Sequence, residues 1–119
     1  MAVVRLTNRA AGRAVRRLIG SLEHKIRVER VTMFGSRARD WHLLDSDVDL
    51  MIVSPDFEGM DIRDRQALVW EHWDQDVMLD AVCLTRAELK QKAEQLGVVA
   101  EILKQGREIP LGRSSGSDG

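Results

Sequence analysis

At 119 residues the chain has room for one domain with one core, which excludes a catalytic unit joined to a sizeable recognition domain. Its 44% hydrophobic and 31% charged residues exclude a disordered chain, and no apolar run approaches the roughly 18 residues needed to cross a bilayer. A formal net charge of −1 excludes a global positive field, so direct nucleic-acid binding is not expected, and a single cysteine, Cys83, excludes an internal disulfide and fits a reducing cytoplasm.

The chain opens on a predicted helix. Asn8 is placed to cap it, and Ala11, Ala14, Val15, Leu18, Ile19, Leu22 and Ile26 recur at three- and four-residue spacing, which predicts an apolar stripe from Arg9 to about Lys25. The basic residues between Arg5 and Arg30 lie largely off that stripe, as a solvated face first, or as a partner-binding or nucleic-acid-binding one. A strand is predicted from Glu29 to Phe34, ending on the Gly35-Ser36 turn, and a second from Ser46 to Val53, stopped by Ser54-Pro55-Asp56. Asp61 to Asp74 reads as a helix with Ile62, Ala67, Leu68, Val69 and Trp70 turned to the core. Val77 to Leu84 reads as the third strand, with Cys83 a small core residue in it. Thr85 and Glu88 form a capping-box pattern that starts a helix reaching about Leu96, and Val98 to Gln105 gives one more helical stretch. Residues 1–111 therefore form the folded domain, and the Gly/Ser-rich tail 112–119 is expected to be disordered.

Chemistry concentrates around one turn and one strand. Gly35 allows a sharp turn whose free N–H groups suit phosphate oxygens, and Ser36 adds a hydroxyl. Asp47 and Asp49 stand two apart, so in an extended segment both carboxylates fall on one face while Val48, Leu50 and Ile52 take the other. Side by side such acids repel, which a hard cation between them relieves; an open, all-oxygen site suits Mg²⁺ bridging to substrate phosphates. Exposed acids on a half-buried strand are the plainer alternative. Asp80, flanked by Leu79 and Ala81, is costly to bury unpaired. Facing the same site would resolve that cost, with Asp80 holding a second metal and helping to deprotonate an acceptor hydroxyl. Arg37 and Arg39 suit triphosphate oxygens, or else pair with Asp40 in the loop. Trp41, in the same loop, suits packing there, or else stacking on a base or anchoring a partner chain. His24, His42 and His72 show no zinc-ligand spacing.

Together, Gly35-Ser36, Asp47-Val48-Asp49 and Leu79-Asp80-Ala81-Val82 resemble the signature of the DNA polymerase beta-like nucleotidyltransferase superfamily. The run Gly35-Ser36-Arg37-Ala38-Arg39 in so short a chain is similar to the minimal nucleotidyltransferase (MNT) domains of prokaryotes. The resemblance implies an α/β (α+β) fold, a small mixed sheet of three or four strands flanked by helices. It also implies ATP as substrate with Mg²⁺, two ions in the expected site, and transfer of AMP to a hydroxyl with release of pyrophosphate. Many such domains pair with a HEPN-domain toxin as its antitoxin, so a second protein chain is the implied acceptor or partner. Alternatives are a non-catalytic antitoxin or assembly subunit of the same fold, a small-molecule nucleotidyltransferase, and a homo-oligomer in place of a heteromeric pair. Family members often carry Gly where this chain has Asp40, which adds a negative charge and a Cβ beside the expected phosphate site.

Overall fold

The apolar stripe of the first segment winds into helix α1, Asn8–Leu22, whose Ala11, Val15, Leu18 and Leu22 are fully buried. The structure, a computed structural model, describes residues 8–35, 47–95 and 97–111. Strands β1 (Arg30–Phe34) and β2 (Val48–Val53) follow, then a short 3-10 turn at Pro55–Phe57 and helix α2 (Ile62–Trp70). Strand β3 (Leu79–Leu84), helices α3 (Arg86–Ala93) and α4 (Val98–Gln105) and the two-residue strand β4 (Arg107–Glu108) complete the described chain.

The four strands make one mixed sheet in the order β3-β2-β1-β4, with β2–β3 parallel and the other two pairs antiparallel. Helices cover both faces, giving three layers. Under α1 and α2 lie Val31, Met33, Val48, Leu50, Ile52, Ala81 and Cys83, with Phe57 and Val69 in the same cluster. Met51, Val53 and Leu84 face the other way, against Val99 and Ile102 of α4. Because side chains alternate along a strand, Asp49 shares this second face with Met51 and Val53. Beyond Met51 the β2 strand is apolar on both faces, as a central strand must be.

Several boundaries move by one to four residues from their sequence expectations. The clearest correction concerns α2: Trp70 and Ile62 were expected in the core, yet they are 49% and 64% exposed. Trp70 instead sends its indole N–H to the Leu79 carbonyl at 2.9 Å, while Gln66 donates to the Ala81 carbonyl at 3.1 Å and Arg65 to the Cys83 carbonyl at 3.0 Å. Alternate carbonyls along the outer edge of β3 are thereby satisfied by side chains of one helix, where a neighbouring strand would otherwise supply N–H groups.

Arg65 is the buried hub of this half of the fold. Its guanidinium forms a two-pronged pair with Glu88, at 2.7 and 3.1 Å, donates to the Met60 carbonyl at 3.0 Å, and lies 5.7 Å from the centre of the Phe57 ring. The same Glu88 accepts from the Thr85 N–H at 2.9 Å, closing the capping box in which Thr85 Oγ1 accepts from the Glu88 N–H at 3.2 Å. Thr85→Ala removes one half of that box and is expected to lower stability by about 1 kcal/mol, read from the midpoint of urea unfolding.

Candidate functional site

Two strand ends and one turn bring the chemistry together. Parallel pairing sets Asp49 of β2 opposite Asp80 of β3 in register, so their carboxylates stand on the same face of neighbouring strands. Antiparallel pairing sets Phe34, the last residue of β1, opposite Asp49 on the other side. Gly35 follows with φ of +75°, a conformation that disfavours any residue with a Cβ. A Cβ at Gly35 would collide with Oδ2 of Asp49. The glycine is thus required twice over, by its backbone angle and by the carboxylate beside it. Gly35→Ala is expected to force the Asp49 side chain from its place and to cost about 1–3 kcal/mol of stability, measurable by thermal unfolding.

Asp47 precedes β2 and is exposed, Asp80 is exposed, and Asp49 is partly buried between them. The Asp49 carboxyl is raised from 3.8 to about 6, first by burial and then by repulsion from Asp80 and from Asp47. The three acids expected from the sequence therefore share one field. Their arrangement is open: among the described residues, no three His, Cys, Asp or Glu side chains form a group that could hold a metal ion. Even so, the donor set fits a hard divalent cation, because Mg²⁺ takes one or two carboxylates and completes its shell with water and substrate phosphates. Ser36, Arg37 and Arg39 lie outside the described residues, as do Asp40, Trp41, His42, Asp45, Ser46 and the tail 112–119.

Beside Gly35 opens a mostly apolar cleft of about 600 Å³, walled by Phe34 and by Val98, Ile102 and Gln105 of α4. Sequence reading did not anticipate it, since α4 and the end of β1 are distant in the chain. Cys83 is buried and its thiol is pushed up to about 12 by that burial, which suits a packing residue rather than a nucleophile. His72 shares a hydrogen bond with the Ser21 hydroxyl and tethers the turn after α2 to α1; His24 is exposed.

A small three-layer α+β domain with paired acids at adjacent strand ends and a glycine turn against them is the architecture of a minimal nucleotidyltransferase. The nucleotidyltransferase domain model matches residues 15–109, and the chain belongs to that family. A crystal structure of a "putative nucleotidyltransferase" from Sulfolobus solfataricus shares the fold, with a TM-score of 0.59 and 24% identity over 71% of this chain and 75% of that one. No curated protein sequence matches the chain.

Proposed function

We propose that the protein is a Mg²⁺-dependent nucleotidyltransferase that moves AMP from ATP to a hydroxyl on a second protein chain. The observation that carries this reading is the Asp49–Asp80 register with Gly35 closed against Asp49, which concentrates negative charge where a metal–triphosphate would neutralise it. In the reaction the acceptor oxygen bonds to the α-phosphorus, the bond to the bridging oxygen breaks, and pyrophosphate leaves with its electron pair. Asp47 and Asp49 would hold Mg²⁺, joined by Asp80 for a second ion; the metal supplies charge neutralisation at the phosphates.

The chain's own work is placement and proton handling. Gly35 keeps the space in front of Asp49 clear, and Ser36, Arg37 and Arg39 would bind the β- and γ-phosphates. Asp80, exposed on its strand, is open to an incoming hydroxyl and would take its proton. The cleft between Phe34 and α4 is large enough for a nucleoside. Asp47 and Asp80 are exposed and open to a large acceptor, which supports a partner protein, a HEPN-domain toxin by family likeness, as the substrate.

Incubation with α-³²P-labelled ATP and Mg²⁺, alone and with the copurifying partner, tests the reading by gel autoradiography and intact mass. Label on the partner is expected, and it should vanish with the Asp47→Asn/Asp49→Asn double variant. A stable complex that never carries label would instead make the domain a binding subunit, and full activity in the double variant would sink the metal assignment.

A further inference from the structure

A second cleft, of about 490 Å³, lies between α1 and β4, with Arg9, Arg13, Arg16 and Arg107 around it. Arg9, Arg13 and Arg16 recur at helical spacing along one side of α1, spanning about 10 Å of helix. None of these three makes an ion pair among the described residues, although Arg17 on the neighbouring face pairs with Asp74 at 2.8 Å. The acid in the cleft wall, Glu108, is already paired with Arg30 at 3.1 Å. Met33 and Ile109, both nearly buried, add an apolar floor.

Gly12 leaves the helix bare where it borders this cleft. It lines this cleft from the interior of α1, where glycine costs about 1 kcal/mol relative to alanine, and a Cβ there would meet nothing within 4 Å among the described residues. A bare stretch of helix gives an incoming chain closer approach to the floor between the arginines.

We infer that this cleft docks a short acidic, partly apolar segment of the partner protein, with carboxylates on Arg9, Arg13 and Arg16 and an apolar side chain against Met33 and Ile109. Guanidinium forks match carboxylates in two-pronged pairs. A long polyanion is the poorer fit: without the four arginines of this cleft the rest of the chain is net acidic, and it would repel phosphates running beyond the cleft. Nor, among the described residues, does an aromatic side chain line the cleft for bases to stack on. Met33 stands two positions before Gly35, so a segment docked here lies near the end of β1 that leads to the carboxylates, on the opposite face of the sheet from them. The inference rests on the partner-protein reading above only for who the partner is.

The test is fluorescence anisotropy of a short labelled peptide of alternating Glu and Leu, titrated with the protein at low and physiological salt without nucleotide. Its arms are a Gln-for-Glu peptide and a labelled oligouridylate of equal length. Expected are salt-sensitive binding of the Glu peptide, loss of about tenfold or more with Arg13→Ser/Arg16→Ser, and weak binding of the other two probes. Gly12→Leu should fill the cleft and abolish binding while raising the melting temperature, which separates lost docking from lost folding. Equal binding of the Gln peptide, tighter binding of oligouridylate, indifference to the variants, or no binding at all would each overturn the proposal. Since no ATP is present, failure here is read apart from failure of the labelling assay.

Discussion

Asp49→Asn is expected to abolish nucleotidyl transfer, a loss of roughly a thousandfold or more, and at the same time to stabilise the metal-free protein. The two effects share one cause. Asp49 is partly buried between two other carboxylates, and its folded value of about 6 stands above the ordinary 3.8. A raised value means that the folded chain binds this proton more tightly than the unfolded chain does. Below pH 3.8 both states are protonated and the site costs nothing. As pH rises through 3.8 to about 6 stability is lost, and above that the loss is constant. A gap of about two pH units is worth about 3 kcal/mol at most, and solvent screening at a partly exposed site reduces that to about 1–2. Melting curves in EDTA should therefore show Asp49→Asn more stable than the wild type at pH 7.5 and equal to it below pH 4. Added Mg²⁺ and ATP should narrow the difference by stabilising the wild type alone. A variant no more stable at neutral pH would mean that the carboxylates do not repel as their placement requires.

Removing either side of the Arg65–Glu88 pair should bring the largest loss of stability of any single polar substitution, about 3–5 kcal/mol. Arg65 has a side-chain exposure of 7% against 37% for Glu88, so Glu88→Ala strands a buried cation, whereas Arg65→Ala leaves an acid that water can reach. Arg65→Ala instead orphans the carbonyls of Cys83 and Met60, a comparable cost by a different route. Since both changes break one network, the double variant Arg65→Met/Glu88→Leu should be destabilised by far less than the two single losses together, and a double-mutant cycle reads the coupling directly. Glu88 is lowered from 4.5 to about 2, chiefly by the hydrogen bonds from Arg65. Its contribution is present above pH 4.5 and fades as pH falls towards 2, so the acid side of the stability profile should flatten in the Glu88→Ala variant.

Local pattern carried much of the architecture. The helix Val98–Gln105 and the Thr85–Glu88 capping box stand where the sequence predicts them, because each is encoded by residues within one turn of each other. Strand β4 was missed: two residues have no period, and Arg107 and Glu108 pair with β1 only through a contact some seventy residues distant in the chain. Trp70 was misplaced because composition favours burying an indole, whereas its N–H finds a partner at the sheet edge. The proximity of Asp49 and Asp80 was inferred from the cost of an acid within an apolar strand; the register that aligns them is a long-range property of β2 and β3. Arg65 carried no local signal at all, since α2 has two arginines, Arg63 and Arg65, and nothing near them hints at which is drawn inward.

The occupied carbonyls along β3 also limit how this molecule meets others. With the carbonyls of Leu79, Ala81 and Cys83 already engaged by α2, that flank offers an incoming backbone few acceptors, and among the described residues the opposite margin is the two-residue, charged β4. Fibril-like stacking loses its template, and recognition passes to side-chain chemistry, where a few substitutions retune the choice of companion without disturbing the sheet.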